Sequence, residues 1–246
     1  GHRRAGGRAA LRGRGGRGRA TVRGEGARRL REHVTPTAGQ RGPRSGPGNV
    51  RRPGMAGGGA VRLKARENDA RHWDDKLTLE FNDSRPCLSR LEIQRIEDAV
   101  TVFILGASTV TDQPREPYNS WGQMLTRFFQ PDVAVANHAE SGESLRSSLG
   151  AKRLDKVLSQ IKSGDYLFIQ YGHNDQKERG EGVGAFTTYK TDLKHFVIEA
   201  RKRGATPVVI TPVARRNFNA EGILVNNLGD YPAAVRQVAA EEKVAL

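Results

Sequence analysis

One cysteine, Cys87, serves a chain of 246 residues, so no internal disulfide can form and thiol chemistry does not fix the compartment. Cys87 reads as a free structural thiol. No apolar run approaches the roughly 18 residues of a membrane span, and no basic-then-apolar signal segment opens the chain, so no membrane partner is expected. Aromatic residues are scarce at 6%, and residues 1–66 contain none. An initiating Met is also missing: running from Gly1 to Leu246, which lies inside an apolar run, the chain reads as a fragment at both ends.

Arginine is abundant, but in one place only. Residues 1–66 hold 17 Arg and one Lys against two Glu, a balance of +16 in a chain of net charge +14, which leaves −2 for the remaining 180 residues. The pI of about 10.5 therefore describes a tail and not a domain. Residues 1–70 are expected to be a disordered Arg/Gly-rich tail, because Gly, Arg, Ala and Pro bury too little apolar area to offset chain entropy. Two readings of residues 1–66 stay open: an RGG-like segment that binds RNA, and a spurious or displaced N-terminus. Interleaved Phe or Tyr would favour RNA, and none is present, so nucleic acid is not expected as a partner except through this tail.

Alternation of apolar and polar residues over 76–81 and 88–96, about the turn-rich Asn82-Asp83-Ser84-Arg85-Pro86, predicts two antiparallel strands. From Ala99 the chain alternates strand and helix: strands at 100–105, 133–137, 166–170 and 207–211, and helices to about Phe129 and over 154–161, 188–203 and 231–242. A fifth strand is expected to begin at Val244. Ser120-Trp121-Gly122-Gln123 has capping-box spacing, and Asp230 is expected to cap the last helix. Repeated βα units predict an α/β fold, a three-layer α/β/α arrangement on a flavodoxin-like parallel sheet, over residues 99–246.

Ligands of such sheets bind beyond the strand C-termini. Three loops fall there: Gly106-Ala107-Ser108-Thr109, then Asn137 to Ser144, then Gly172-His173-Asn174-Asp175. Ser108, on a tight turn, can expose its hydroxyl and offer its own N–H to a developing oxyanion. Gly142 can bring a second N–H close, and the Asn174 amide a third. Each piece alone is ordinary turn composition; the ordered trio points to acyl transfer.

These loops, with Ser120-Trp121-Gly122-Gln123-Met124-Leu125, Gln170-Tyr171-Gly172-His173-Asn174-Asp175-Gln176-Lys177, Thr211-Pro212-Val213-Ala214-Arg215-Arg216 and Gly229-Asp230-Tyr231-Pro232, resemble the rhamnogalacturonan acetylesterase branch of the SGNH (GDSL-like) hydrolases over residues 74–246. The resemblance implies Ser108 as nucleophile; Ser108 N–H, Gly142 N–H and the Asn174 side chain as oxyanion hole; and an acetyl-serine intermediate. It implies an acetylated polysaccharide or oligosaccharide as partner, no cofactor and no metal, and an extracellular or periplasmic location for the intact parent; it also implies that residues 71–98 are the remnant of a small N-terminal β-sandwich module that precedes the esterase domain in longer relatives.

Two departures from the pattern stand out. The family's Asp-x-x-His block after strand five is absent, so this chain is expected to be inactive by itself, and a glycan-binding domain without turnover is the alternative. Ala107 stands where the family has Asp, which predicts a looser nucleophile turn. His138 and His173 read as supporting residues and His195, in mid-helix, as a surface or packing residue. Arg215 and Arg216 could contact an acidic sugar backbone or simply be solvated. Trp121 reads as a core or staple residue ahead of a sugar platform, and Asp175 with Lys177 as a local ion pair.

Overall fold

Residues 100–106, Val-Thr-Val-Phe-Ile-Leu-Gly, are apolar on both sides of the pleat, as a strand covered on both faces requires. In the computed structural model they form β1 (Val100–Gly106), joined by parallel pairing to β2 (Val133–Asn137) on one side and β3 (Tyr166–Gln170) on the other, with β4 (Thr206–Val209) outside β3. Val102 is level with both Val135 and Tyr166. The order β4-β3-β1-β2 is the doubly wound one expected. Ala245 meets Val208 in a single parallel bridge, and Val209 N–H donates to Ala245 C=O at 3.0 Å, so the expected fifth strand is present as one bridge beside β4.

The structure describes residues 61–67, 99–113, 117–130 and 132–246, together with the backbone of six further strands between residues 9 and 96. Cys87 and most of the Arg/Gly-rich tail lie outside the described residues.

Among the described residues five α-helices alternate with these strands: α1 (Trp121–Met124) after β1, α2 (Leu145–Gly150) and α3 (Arg153–Leu158) after β2, α4 (Lys190–Lys202) after β3 and α5 (Tyr231–Glu242) after β4. On one face of the sheet Phe103, Leu105, Leu167 and Ile169 meet Leu154, Val157 and Leu158 of α3, Leu193, Phe196, Val197 and Ala200 of α4, and Ala234, Val235 and Val238 of α5. The α4 set recurs at three- and four-residue intervals, the stripe that a one-sided helix buries. On the other face Val102, Ile104 and Val135 meet Val110, Trp121, Leu125 and Phe129. Each fully buried Leu, Val or Phe contributes about 1.5–3 kcal/mol, and this two-sided burial fixes the ends of β1, β2 and β3 side by side.

Several expectations need adjustment. The helix expected up to Phe129 is one α-turn, α1, followed by a 3-10 turn over Leu125–Phe128. The region before 154 contains α2, hidden in sequence by the two serines and terminal glycine of Leu-Arg-Ser-Ser-Leu-Gly; Ser144 and Ser147 cap it reciprocally. Only half of the Ser120 capping box forms. Ser120 Oγ accepts from Gln123 N–H at 3.2 Å, but the Gln123 side chain accepts from Gln113 N–H at 3.3 Å instead of reaching back. Asp230 makes no side-chain cap, because its backbone is already helical (φ −85°, ψ −2°).

The upstream expectation also changes. Leu77–Phe81 and Arg90–Ile96 are strands, but they do not pair with each other. Arg90–Ile96 lies antiparallel to Arg19–Glu25, and Leu77–Phe81 lies between Ala9–Leu11 and Leu30–Arg31. A lone hairpin leaves outer backbone donors and acceptors unpaired, and the segment expected to be a disordered tail supplies their partners. Its last part, residues 61–67, is docked on the α/β domain.

Candidate active site

The turn after β1 is held by its own backbone and by close contact. Val110 N–H and Thr111 N–H both donate to Ala107 C=O, at 2.9 and 3.0 Å. A Cβ on Gly106 would stand 2.5 Å from Val110 Cγ2 and 2.7 Å from Gln170 O, so only glycine lets β1 end this close to β3. Ser108 is half-buried at the head of this turn, its carbonyl accepting from Gln113 Nε2 at 2.7 Å. Thr111 Oγ1 donates to Ala139 C=O at 2.8 Å. Ala107, where a looser turn is expected, is 1% exposed, and Thr111 and Gln113 tie the turn to its surroundings through their side chains.

Gln170, the last residue of β3, joins three elements. Its Oε1 accepts from Thr109 Oγ1 at 2.9 Å and from Trp121 Nε1 at 2.8 Å, while its Nε2 donates to Thr211 C=O at 2.9 Å. Trp121 packs in the second core cluster and is anchored by its ring N–H, in line with the core role expected for it. A groove of about 850 Å³ opens beyond β3 and β4, lined among others by Trp121, Gln170, Pro212, Asn226 and Arg236.

The second loop is tied to the first by Asn137, whose Nδ2 donates to Val110 C=O at 2.7 Å and to Asp112 Oδ1 at 3.0 Å, and by Glu140 N–H, which donates to Gly106 C=O at 3.1 Å. His138 is buried with its ring stacked on Phe103, 5.9 Å between centroids. Gly142 is exposed and has φ +80°, the left-handed backbone that glycine adopts without strain.

The third loop closes the set. Asn174 Nδ2 donates to Glu143 C=O at 2.9 Å, and its Oδ1 accepts from Lys177 Nζ at 2.9 Å, which fixes the amide orientation and leaves the second N–H of the NH₂ group as a donor. Lys177 therefore does not pair with Asp175 as expected. The Asp175 carboxylate accepts from Leu145 N–H at 2.8 Å and Gly172 N–H at 2.7 Å, joining α2 to the third loop. Burial pushes its pKa up to about 6, against the pull of those two bonds. His173 Nε2 meets Val213 C=O at 2.9 Å and so bridges to the loop after β4; burial lowers its pKa against the raising effect of that bond, and the charges of Arg215 and Lys177 add to the lowering. Both His138 and His173 thus occupy the supporting positions expected, and His195 is exposed on α4. Arg215 and Arg216 are exposed.

Sequence reasoning missed residues 61–67. Val61 is buried, Arg62 N–H donates to Ala151 C=O at 2.9 Å, and the buried Glu67 pairs with the buried Arg153 at 2.5 Å. Between these anchors Lys64 reaches Glu143 at 2.6 Å and Arg66 reaches Glu140 at 2.5 Å, one carboxylate on each side of Ser141-Gly142. Burial and the neighbouring Glu67 charge raise the pKa of Glu140, against the hydrogen bond from Arg66. The only sequence signal was the mixture of Lys64, Arg66 and Glu67 beside Val61, which the surrounding arginine obscures.

The structure thus sets Ser108, Gly142 and Asn174 on three loops at one sheet edge, bonded loop to loop. Among the described residues no group of three or more His, Cys, Asp or Glu is placed to hold a metal ion, and no helix is long and apolar enough to cross a membrane.

Residues 104–246 match the model of the GDSL-like Lipase/Acylhydrolase family. The chain is 42% identical over 144 residues to rhamnogalacturonan acetylesterase RhgT of Bacillus subtilis, covering 58% of this chain and 61% of that protein. It is 38% identical over 148 residues to the probable rhamnogalacturonan acetylesterase YesY of the same organism, covering 59% and 68%. The chain therefore spans only about three fifths to two thirds of the length of these relatives. The crystal structure of YxiM from Bacillus subtilis superposes with a TM-score of 0.54 at 28% identity, over 70% of this chain and 51% of that one. With the family model matching more than half of its residues and the same parallel sheet beneath them, the chain belongs to the GDSL-like lipase/acylhydrolase family.

Proposed function

We propose that this chain forms the greater part of a serine esterase that removes acetyl groups from pectic or related polysaccharide. The observation that carries the reading is the bonding of the three loops: Glu140 N–H to Gly106 C=O, Asn174 Nδ2 to Glu143 C=O and Thr109 Oγ1 to Gln170 Oε1 hold one hydroxyl and several N–H donors at the β1/β3 edge. In this reading Ser108 Oγ attacks the acetyl carbonyl carbon, and its proton passes to a general base and then to the departing sugar oxygen. Water afterwards releases acetate from the acetyl-serine. Negative charge on the carbonyl oxygen is met by Ser108 N–H, Gly142 N–H and the uncommitted Asn174 N–H. Among the described residues neither site histidine is set to serve as the base, since His173 is committed to Val213 and His138 is stacked on Phe103. An acetylated sugar polymer as substrate is supported by the names of RhgT and YesY.

The test is acetate release by the full-length protein from acetylated rhamnogalacturonan and acetylxylan, with Ser108→Ala and Asn174→Ala beside it. Ser108→Ala should abolish release, and Asn174→Ala should lower turnover by about 10²–10³. Release unchanged in Ser108→Ala would refute the nucleophile. Glycan binding without acetate release by the wild type would establish a binding domain instead.

A further inference from the structure

The strap formed by residues 61–67 touches the candidate oxyanion loop at one carbonyl. Lys64 Nζ donates to Ser141 C=O at 2.6 Å, and Arg66 Nη2 donates to the same oxygen. That carbonyl belongs to the same planar peptide as Gly142 N–H, and in a trans peptide the C=O and N–H point in opposite directions. Fixing the oxygen therefore fixes the direction of the N–H. Two cations on the oxygen also draw electron density through the resonant C–N bond, which makes the N–H a stronger donor, since hydrogen bonds to ionised groups polarise their neighbours. Exposed Gly142, at φ +80°, has no side chain to hold its peptide in place. A Cβ there would lie 3.5 Å from Lys64 Nζ and 3.8 Å from Arg66 Nη2, which shows how closely the two cations cover this unit.

We infer that Lys64 and Arg66 are positioning residues that orient and polarise the Ser141-Gly142 peptide, so that Gly142 N–H is a pre-set donor to the oxyanion. The inference rests on the acyl-transfer reading of the site. Glu143 and Glu140 hold the two cations in place at 2.6 and 2.5 Å, and their negative charges balance the pair, so the arrangement acts on the peptide without creating a net cationic patch. The strap's docking does not depend on Lys64 or Arg66: Val61 burial, the Arg62 to Ala151 backbone bond and the Glu67–Arg153 pair anchor it on both sides. Changing either cation therefore alters the peptide and leaves the strap in place.

The experiment uses the full-length protein with Lys64→Met, Lys64→Gln, Arg66→Met and the conservative Lys64→Arg. Two quantities are read: kcat and KM for acetyl-ester hydrolysis, and the Gly142 amide proton resonance, with the Arg62 amide as the marker of a docked strap. Expected are a loss of kcat of about tenfold in the Met and Gln variants, a fraction of the 10²–10³ for deleting a donor outright, with KM unchanged. An upfield move of the Gly142 amide with the Arg62 amide fixed should accompany it, and Lys64→Arg should restore both. An unmoved Gly142 amide, or a loss confined to KM, would overturn the inference; the latter would make the cations substrate contacts. A wild-type protein without esterase activity would refute the acyl-transfer reading alone, and the Gly142 amide would still decide whether the cations polarise the peptide.

Discussion

Asp175 offers the sharpest test of the physical reasoning, because two effects of opposite sign meet on one carboxyl. Its oxygens accept two backbone N–H bonds, which favour the ionised form, yet it is 3% exposed, and burial prevails, raising the pKa from an ordinary 3.8 to about 6. The folded state then binds the proton more tightly than the unfolded state between those two values. Linkage gives the sign: where the native state holds more protons, stability falls as pH rises. A shift of about two units corresponds to about 3 kcal/mol of stability, fully present below pH ~3.8 and lost as pH climbs through ~6. Asp175→Asn cannot titrate, and it also sets an NH₂ group against one of the two N–H donors, a pH-independent cost of about 1–3 kcal/mol. Urea unfolding of wild type and variant from pH 3.5 to 7 isolates the titrating part. Wild-type stability minus variant stability should fall by about 3 kcal/mol across that range and be flat above pH ~7. A difference that rises with pH would show that the two N–H bonds outweigh burial and would refute the reasoning.

Arg153→Met should cost about 3–5 kcal/mol in denaturant unfolding, because Glu67 and Glu143 would be left buried beside an apolar side chain; a cost below 1 kcal/mol would show that water reaches them. Gly142→Ala meets no steric block, so only its left-handed backbone should matter, at about 1–2 kcal/mol, read as a lower thermal midpoint. Gln170→Leu orphans the Thr109 hydroxyl, the Trp121 ring N–H and the Thr211 carbonyl. It should destabilise by about 1–3 kcal/mol and shift the indole N–H resonance of Trp121, which an unanchored Trp121 would not show.

The sheet was legible because β1 to β4 are short apolar runs that leave no alternative to a doubly covered parallel strand, and the turn residues after them mark the sheet edge. The loops carrying Ser108, Gly142 and Asn174 followed from that order. The α2 helix was not legible, since its serines and glycine read as loop and its stability comes from the Ser144–Ser147 cap and from Asp175, thirty residues away in sequence. The bridging role of Gln170 was equally hidden, because its three partners lie on three different elements.

Local pattern thus determined the α/β class, the strand order's chemistry-bearing edge and the identity of the candidate trio, because hydrophobic periodicity and turn composition are written in contiguous residues. Only the tertiary structure decided that residues 61–67 leave the arginine-rich stretch to dock on the domain, that Glu67 pairs with Arg153, and that Lys64 and Arg66 converge on the carbonyl beside Gly142. Those contacts join positions more than seventy residues apart, and a charge's partner at that separation is set by how the chain folds back, which no local pattern records.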